Sequence, residues 1–537
     1  MTTYFLLAVY VLCAAAMTAA STRLVHMLQL EGYKNKNLYH WLSSYTKQVY
    51  KVPMIVSICG VILMLLINLI LPDVSQYIFL AAGVVYIILI LRYGKRSRVQ
   101  NAKKPLVYTS RVKRLFVFIS IFYVVIGGAF LLLDIFVLSG SILAGLPLFL
   151  IFLLIGEGVF YGNLMAMPVE AVVRRWYLND AKKKLSERSD LIVIGITGSY
   201  GKTSCKFILG TILSEKYNVL VPPSSYNTPM GLTRVVREMM KPSHEIFIAE
   251  MGARNVGDIK ELCDLAHPKF GLITSVGPQH LDTFGTVETI AKTKYELIES
   301  LPQAGCSFFP GDNEICRKLY EQTQIEKHLF AIDYEKADVR AENIKTGGFG
   351  SRFDLVLFGE RIPCETKLLG KHNIKNILGC ACIAHKLGLS AAQIKLGIRK
   401  IQPVEHRLQM LPTSNGIIVI DDAFNANPSG VRAALEVLSS FEGRKIVVTP
   451  GMVELGDREE TENRAFGLVM AGVADYVYLI GPKHTKPIYD GLIEGGFPHE
   501  NIQVFRSLDE ATQVLWTLVK PGDVVIFEND LPDNYNE

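Results

Sequence analysis

The segment Gly195–Ser204 (GITGSYGKTS) has the composition of a phosphate-binding loop. It follows the apolar run Leu191–Ile194, which predicts a strand, and precedes Cys205–Leu213, which predicts a helix. A glycine-rich turn between a strand and a helix N-terminus points backbone N–H groups at an anion, and a lysine there meets the terminal phosphates. The loop therefore predicts nucleotide binding, and Thr203 is placed to bind Mg²⁺. The predicted nucleotide-binding residues are Gly198, Ser199, Tyr200, Gly201, Lys202, Thr203 and Ser204.

The spacing of the glycines differs from that of an ordinary P-loop. Counting back from Gly201, the position that usually holds glycine is Ile196, and glycines stand instead at 195 and 198. Glycine-rich turns after strands are common, but a Gly-Lys-Thr sequence at the end of such a turn rarely occurs by chance. The loop thus indicates a nucleotide-binding protein of an unusual class.

Polar residues also follow the predicted strands Ile246–Ala249 and Phe270–Val276. Glu250 ends the first strand, and His280 follows the second after a glycine-proline turn. Ligands of open α/β sheets bind at the carboxyl ends of strands, so a carboxylate there is suited to hold Mg²⁺ and the histidine to be a second metal ligand. A lone histidine is more often structural, and Lys294 resembles an ordinary helix-surface charge.

Half of the 537 residues are apolar, and the apolar excess is concentrated before residue 165. One apolar run could be a buried helix of a soluble core, but five runs cannot be explained in that way. The first run lacks the basic start of a signal peptide and predicts an uncleaved span. The runs that are each about long enough to cross a bilayer are Tyr4–Ala20, Pro53–Leu71, Tyr77–Leu91, Leu115–Val137 and Ser141–Gly162.

The connections between these runs differ in charge. The connections 21–52 and 92–114 are rich in lysine and arginine, whereas 72–76 and 138–140 contain neither. The positive-inside rule places the basic connections in the cytoplasm and the N-terminus outside, so five spans deliver everything after Gly162 to the cytoplasm. The net charge of +5 comes largely from these connections, and it indicates contact with the lipid bilayer rather than with nucleic acid.

Four regions follow from these patterns: spans in 1–165, a basic amphipathic helix in 166–189, and two α/β domains in 190–402 and 403–537. The amphipathic helix lies either at the membrane surface or on the soluble domain. The expected fold class is an all-α membrane domain, then a P-loop domain with a parallel sheet, then a Rossmann-like α/β domain. The nine cysteines include no Cys-x-x-Cys pair, which is typical of a reduced cytosolic domain without a zinc ribbon. The predicted strands are Leu191–Gly195, Asn218–Val221, Ile246–Glu250, Phe270–Val276, Cys306–Phe309, Ile417–Asp421, Lys445–Thr449, Tyr476–Ile480, Ile502–Phe505 and Asp523–Phe527.

A series of motifs between residues 190 and 527 resembles those of the Mur ligases, the ATP-dependent amide ligases of peptidoglycan precursor synthesis. The loop matches the family pattern G-x-TG-[ST]-x-GK-[ST] at every defined position, which accounts for its glycine spacing. The resemblance is strongest to the MurF branch, whose members add D-alanyl-D-alanine. The other matching segments are Asn227–Gly231, Glu250–Ala253, Gly277–Leu281, Ile290–Glu296, Gly370–Asn376, His406–Leu408, Asp421–Pro428 and Met452–Gly456.

The resemblance implies ATP and two Mg²⁺ ions as cofactors. Lys202 would neutralise the β- and γ-phosphates, and Thr203 and Glu250 would hold the first Mg²⁺. His280 and Lys294 would hold the second; the family's matching lysine is carbamylated, which turns an amine into an anionic oxygen ligand. The resemblance thus assigns catalysis to Lys202, His280 and Lys294.

The resemblance also implies the nucleotide contacts and the reaction. Asn376 and Arg407 would contact the base and phosphates, and Asp422 and Asn425 would face ATP across a cleft. A substrate carboxylate would attack the γ-phosphate to give an acyl phosphate and ADP, and an amine would then displace phosphate. The expected partners are ATP, a UDP- or lipid-linked cell-wall precursor peptide, an amino acid or dipeptide donor, and the lipid bilayer of a bacterial plasma membrane.

Three departures from the MurF pattern concern the acceptor side. The spans stand in place of a UDP-binding domain, Gly451 stands in place of an aspartate, and Glu528–Asp533 stands in place of a Lys-Gly-Ser-Arg-like end. The reaction type is therefore better supported than the substrate, and the spans either anchor the enzyme or help bind a lipid-linked acceptor. Two alternatives stay open: a membrane-bound ligase that polymerises an amino acid, and a membrane transporter or signalling protein with an ATPase-like module.

Overall fold

In the computed structural model the chain divides into two compact parts, and the division falls between Arg175 and Trp176. The residues that the structure describes are 2–71, 74–98, 104–139, 141–223, 225–279, 281–348, 350–413, 415–424, 426–453 and 455–530. His280 and Asn425, which the sequence predicts to be site residues, lie outside these ranges.

The first part is helical. Five of its segments are long and apolar enough to cross a membrane, as the sequence predicted: Tyr4–Leu30, Thr46–Ile70, Tyr77–Arg96, Ser110–Phe136 and Leu146–Ser186. Its helices are α1 Thr2–Ala20, α2 Thr22–Leu30, α3 Asn35–Ser44, α4 Thr46–Ile70, α5 Ser75–Arg96, α6 Ser110–Phe136, α7 Leu146–Leu150 and α8 Ile155–Ser186.

Tyrosine hydroxyls satisfy the backbone where a 3₁₀ turn, Ile151–Leu154, separates α7 from α8. Tyr86 Oη donates to the Phe149 carbonyl (2.8 Å) and accepts from the Phe152 N–H (3.1 Å). Tyr123 Oη donates to the carbonyl of Ile155 at 3.2 Å. These hydroxyls therefore satisfy backbone groups that the irregular turn leaves outside the regular helical hydrogen bonds.

Asp134 is a buried carboxylate of this helical part with a structural role. Its Oδ2 accepts from Tyr10 Oη at 2.5 Å, and its Oδ1 accepts from the Gly145 N–H at 2.9 Å. The carboxylate therefore joins α1 to the turn that precedes α7. This pairing explains the presence of a carboxylate in an otherwise apolar span.

The predicted amphipathic helix Pro168–Leu185 is not a separate element. It is the continuation of α8, which runs without a break from Ile155 to Ser186 and includes Pro168. Several apolar side chains of this stretch are exposed, among them Val169, Val172 and Trp176. An apolar surface on a helix rich in basic residues suits a membrane interface.

The second part begins with a nine-stranded sheet in the order β2-β3-β1-β4-β5-β6-β7-β8-β9. The pairs among β1 to β5 are parallel, as predicted. The strand β6, which was not predicted, continues the parallel pairing to β7, and β7, β8 and β9 form an antiparallel extension that was not predicted either. The strands are β1 Ile192–Thr197, β2 Val219–Leu220, β3 Ile246–Glu250, β4 Phe270–Ile273, β5 Cys306–Pro310, β6 Glu326–Ala331, β7 Val339–Gly347, β8 Gly350–Leu357 and β9 Glu360–Thr366.

Helices cover both faces of this sheet. One apolar core lies under α9, α15 and α16, and a second lies under α10, α11, α13 and α14. Strands buried on both faces are continuous apolar runs, which is why they are visible in the sequence. The helices are α9 Lys202–Leu213, α10 Pro229–Glu238, α11 Asp258–Ala266, α12 Leu281–Phe284, α13 Val287–Glu299, α14 Glu314–Gln322, α15 Lys371–Lys386 and α16 Ala391–Lys400.

The C-terminal sheet has six strands in the order β10-β11-β15-β12-β13-β14. Among the described residues, the last strand, β15, is inserted between β11 and β12, so it lies at the centre of the sheet. The elements are β10 Gln409–Leu411, β11 Ile418–Asp422, α17 Pro428–Ser439, β12 Lys445–Thr449, α18 Glu459–Ala471, β13 Tyr476–Ile480, α19 Lys486–Glu494, β14 Ile502–Phe505, α20 Leu508–Leu518 and β15 Val524–Glu528.

The loop after β12 depends on one buried amide, so we predict that Asn463→Ala loosens it. Asn463 Oδ1 accepts from the Met452 N–H (2.9 Å), and Nδ2 donates to the carbonyls of Met452 (2.9 Å) and Glu459 (3.0 Å). Loss of these bonds should cost about 2 kcal/mol locally. Hydrogen exchange of the Gly451, Met452 and Val453 amides should then accelerate about thirtyfold. The exposed-site variant Glu500→Ala should leave this exchange unchanged, and unaltered exchange in Asn463→Ala would contradict the prediction.

Candidate active site

The phosphate-binding loop is bonded along its length to the segment after β4. The Ser199 N–H donates to the Ser275 carbonyl, and the Tyr200 N–H donates to Ser275 Oγ, both at 2.9 Å. Ser199 Oγ donates to the Gly277 carbonyl (2.9 Å), and Tyr200 Oη to the Pro278 carbonyl (2.8 Å). These bonds fix the shape of the loop between β1 and α9.

Lys202 is the first residue of α9, and its side chain turns back over the loop. Nζ donates to the Gly198 carbonyl at 2.6 Å and lies 3.3 Å from the Ser199 carbonyl oxygen. Burial lowers the pKa of Lys202 to about 8, against the opposing effect of Glu250. The ammonium is therefore still mostly charged at neutral pH, and it lies beside the N-terminus of α9.

Oxygen donors gather beside this lysine. Glu250 ends β3 and is 1% exposed. Its Oε1 accepts from Thr203 Oγ1 at 3.1 Å and from Asn227 Nδ2 at 3.2 Å. A carboxylate, a hydroxyl and an amide oxygen are donors of the kind that Mg²⁺ prefers, so the residues present fit that ion.

Lys294 on α13 is buried, so it is not the surface charge that its sequence context suggested. It is 3% exposed, and its Nζ lies 5.9 Å from the ring centre of Phe284. Burial, and after it the charge of Lys202, lower its pKa to about 7, and Asp258 and Glu296 oppose the shift. No carboxylate of the described part of the chain makes an ion pair with it. A large share of Lys294 is therefore a neutral amine at neutral pH.

Two predicted nucleotide contacts approach the loop from other elements. A Cβ placed on Gly201 would lie 2.8 Å from Asn376 Oδ1, which shows that this α15 side chain touches the loop. Arg407 lies in the connection between the two sheets, and its guanidinium carbon is 4.2 Å from the ring centre of Phe424. The structure thus brings both residues to the region of Lys202.

Arg407 faces carboxylates of both domains. Burial lowers its pKa, and Asp422, Glu250 and Glu528 act in the opposite direction. Parallel pairing of β11 with β15 sets Asp422 beside Glu528, which is 2% exposed. Burial raises the pKa of both carboxyl groups, and Arg407 opposes the shift in each. Arg407 is therefore the counter-ion of a buried acidic pair at this strand edge.

The segments in which the chain departs from the MurF pattern meet at the same edge. Asn529 Nδ2 donates to the Gly451 carbonyl at 2.6 Å, and Asn529 Oδ1 accepts from the Ala426 N–H at 3.1 Å. Gly451 has φ +85°, and a Cβ there would lie 3.0 Å from both Asn463 Oδ1 and Ile488 Cδ1. An aspartate at 451 would thus be strained and crowded in this backbone.

A cavity of about 420 Å³ opens beside the loop. It lies between α9 and the connection 402–407, with Arg407 and Phe424 in its wall. A volume of this size is usual for a small-molecule site. Its lining residues are Thr203, Phe207, Thr211, Pro223, Ser225, Gln402, Pro403, Val404, Glu405, His406, Arg407 and Phe424.

The structure also places residues at the site that the sequence alone did not single out. Lys206 forms an ion pair with Glu250, Asn227 bonds the same carboxylate, and Glu528 pairs with Asp422. Lys206 follows Lys202 by four residues, so helical periodicity places both on one face of α9. That spacing could have identified Lys206 from the sequence. The pairing of Glu528 with Asp422 could not be identified in this way, because it depends on the order of the strands in the sheet.

Comparison with known proteins agrees with this geometry. Residues 196–384 match the model of the Mur ligase middle domain, and residues 406–528 match that of the Mur ligase glutamate ligase domain. A UDP-N-acetylmuramoyl-tripeptide--D-alanyl-D-alanine ligase of Bacillus subtilis is 30% identical over 340 residues, which are 63% of this chain and 72% of that protein. The chain belongs to the Mur ligase family. The ligase of the same name from Mycobacterium tuberculosis (strain CDC 1551 / Oshkosh) is 32% identical and is covered to 70%.

Solved structures of the family share the fold. MurF from Acinetobacter baumannii gives a TM-score of 0.61 at 25% identity, over 67% of this chain and 78% of that one. MurF from Thermotoga maritima in complex with ADP gives 0.60 at 26% identity, over 66% and 80%. Mur ligases are ATP-dependent, ADP-forming enzymes that use Mg²⁺, and this chain is an enzyme of that class.

The close contact of Gly198 with Thr274 predicts that Gly198→Ala weakens ATP binding. Gly198 has φ +150°, and a Cβ there would lie 2.1 Å from Thr274 Oγ1, so the loop would have to move. We expect the dissociation constant for ATP, measured by calorimetry on the full chain, to rise at least tenfold, as about 1.4 kcal/mol of displacement strain requires. Gly257→Ala is the matched control: it has φ +90° but nothing within 4 Å of its Cβ. Equal affinities of the two variants would refute the prediction.

Proposed function

We propose that the chain is a membrane-bound, MurF-like ligase that joins D-alanyl-D-alanine or a related amine to the peptide carboxylate of a UDP- or lipid-linked cell-wall precursor. The observation that carries this proposal is the meeting of Lys202, Thr203, Glu250 and Lys294 at one edge of the central sheet. An ATPase needs the first three residues but has no need of a buried neutral amine beside them. The family relationship supports the same chemistry.

In the first step, the substrate carboxylate attacks the γ-phosphate of ATP to give an acyl phosphate and ADP. Both reactants are anionic, so their approach requires fixed positive charge. Lys202 and the backbone N–H groups at the start of α9 supply it at the terminal phosphates. Bound at Thr203 and Glu250, Mg²⁺ would add further charge of the same sign.

Lys294 is the proposed second metal ligand, together with His280, which lies outside the described residues. A primary amine adds CO₂ only in its neutral form, and the environment of Lys294 favours that form. The product, a carbamate, offers anionic oxygen atoms in place of an amine. Carbamylation and a second ion are thus parts of the proposal that rest on the burial of this side chain.

In the second step, the amine attacks the acyl carbon and phosphate leaves. The C-terminal domain contributes Arg407, whose guanidinium carbon lies 4.2 Å from the ring centre of Phe424 and whose charge is stabilised by Asp422 and Glu528, and we assign it to the nucleotide phosphates. We assign the nucleotide base to the cavity beside α9. Asn376, which lies close to Gly201 of the loop, is a further proposed nucleotide contact. Closure over this cavity would exclude the water that hydrolyses acyl phosphates. Asn425, the other proposed contact, lies outside the described residues.

The helical part lies outside both family matches, which cover residues 196–384 and 406–528. We propose that residues 1–165 form a membrane domain with its N-terminus outside, residues 166–189 an interfacial helix, residues 190–402 the ATP-binding domain and residues 403–537 the C-terminal ligase domain. Basic connections on one side of the spans support a cytoplasmic location of the catalytic domains. Five spans exceed what anchoring requires, which favours a role for them in binding a lipid-linked precursor.

Amine-dependent product formation tests the ligase proposal directly. Membranes that contain the protein should convert a UDP- or lipid-linked peptide, with ATP, Mg²⁺ and D-alanyl-D-alanine, to a species heavier by one dipeptide, as read by mass spectrometry. Lys202→Ala should lose at least 99% of this conversion, because removing a group that stabilises developing charge typically costs 10²–10³ in rate. Phosphate release should need both the amine and the acceptor.

Three outcomes of this assay would redirect the assignment. Equal ATP turnover with and without amine would refute the ligase and favour an ATPase module. Repeated additions to one acceptor would indicate a polymerising enzyme. Conversion of only the UDP-linked acceptor would assign the helical part to anchoring alone.

The environment of Lys294 predicts a pH-dependent requirement for CO₂. The pKa of about 7 means that the neutral amine grows from a minor to the major form between pH 6 and pH 8. At limiting CO₂ the ligation rate should therefore rise about tenfold over that interval. Added bicarbonate should reduce the dependence, because it compensates for the small neutral fraction at low pH.

Variants of α13 separate this effect from ordinary pH dependence. Lys294→Gln should abolish ligation with or without bicarbonate. Lys292→Gln, two residues away on the exposed face of the same helix, should keep both the activity and the bicarbonate response. A wild-type ligation rate that does not depend on the CO₂ concentration between pH 6 and pH 8 would exclude carbamylation.

A further inference from the structure

Lys206 and Glu250 form a fully buried ion pair beneath the phosphate-binding loop. Lys206 Nζ lies 3.1 Å from Glu250 Oε2, and the two side chains are 0% and 1% exposed. The other carboxylate oxygen, Oε1, faces Thr203 and Asn227 at 3.1 and 3.2 Å. The two oxygens of one carboxylate thus have different partners, one oxygen toward the proposed metal and one toward a lysine.

Burial of the Lys206 charge costs free energy, and the packing of the domain does not require a lysine at this position. A buried ion pair is often no more stable than an apolar pair of similar volume, and a lone buried charge is far worse. Its neighbours on α9, Cys205 and Ile208, are ordinary core residues. The ammonium of Lys206 therefore calls for an explanation in terms of what it does to Glu250.

We propose that Lys206 is a positioning residue that acts as the counter-ion of Glu250 and makes metal binding at this carboxylate depend on the nucleotide. The ammonium lies against the buried Oε2, which accepts no hydrogen bond from the described part of the chain, so Oε1, which faces Thr203, is the oxygen placed to bind a cation. Because the lysine already neutralises the carboxylate, a divalent cation that arrives alone meets no net negative charge. The phosphates of ATP supply the missing charge, so the metal and the nucleotide bind together.

This inference rests on the proposed function, since it takes Glu250 to be a metal ligand. It adds that free metal binds weakly and that the coupling is reciprocal: nucleotide strengthens metal binding by the factor by which metal strengthens nucleotide binding. The benefit is that the site stays free of metal until both components of the reaction are present. Lys202, one helical turn away, acts on the phosphates and cannot replace Lys206 at Oε2.

Binding of Mn²⁺ alone to the full chain in detergent, measured by electron paramagnetic resonance without nucleotide, tests the inference without any need for activity. Lys206→Met should bind Mn²⁺ about tenfold more tightly than the wild type, within the range usual for coupled sites. Lys206→Gln, which keeps a polar side chain but no charge, should do the same. Lys206→Arg, which keeps the charge, should bind as weakly as the wild type. Lys292→Met on the exposed face of α13 is the control for the loss of a lysine elsewhere.

A second arm adds a non-hydrolysable ATP analogue. The wild type and Lys206→Arg should then gain Mn²⁺ affinity, and the difference from Lys206→Met should shrink. If Glu250→Gln leaves Mn²⁺ binding unchanged in every arm, Glu250 is not a metal ligand and the metal site of the proposed function fails. If Glu250→Gln removes binding while both neutral variants of Lys206 match the wild type, the proposed function stands and this inference is overturned.

Discussion

Strand β1 lies between β3 and β4 in parallel register, and the rest of the ATP site depends on that pairing. The register sets Ile196 beside Glu250 and Thr197 beside Ile273, so three strand ends meet at one edge. The phosphate-binding loop can then bond to the segment after β4, while α9 passes over Glu250. Since side chains alternate between the faces of a strand, a slip of one residue would turn the carboxylate of Glu250 away from the loop.

The C-terminal sheet imposes a second constraint, because its central strand is the last in the chain. Only when β15 enters between β11 and β12 does Glu528 come to lie beside Asp422, and only then can Asn529 join Gly451 to Ala426. The acidic pair that faces Arg407 is therefore completed by the end of the chain. Two of the three departures from the MurF pattern, at Gly451 and after Phe527, belong to one structural feature, because Asn529 donates a hydrogen bond to the backbone carbonyl of Gly451.

The predictable and unpredictable parts of the molecule differ in how far each depends on tertiary packing. Strands such as Lys445–Thr449 and Tyr476–Ile480 have their predicted bounds because both faces are buried, which leaves a continuous apolar run in the sequence. The antiparallel strands between 339 and 366 were missed because one face is exposed and carries charged residues at alternate positions. Lys202, Thr203 and Glu250 follow from local spacing and strand ends. The burial of Lys294 and Lys206 does not, because the face that a helix buries is decided by its neighbours.

The lysines of the site form one electrostatic system rather than separate contacts. Lys202 keeps its charge because the loop carbonyls and Glu250 stabilise it, whereas Lys294 is pushed toward the neutral form by burial first and by Lys202 second. Lys206 forms an ion pair with Glu250, whereas the carboxylates that act on Lys294 are Asp258 and Glu296. The charge of Lys202 thus helps make Lys294 a neutral amine, which is the form that the proposed carbamylation would consume. The carbamate would return a negative charge to a region that holds the ammonium groups of Lys202 and Lys206. The charge of Lys202 would thus favour the neutral form of Lys294, and the carbamate formed from it would in turn stabilise that charge.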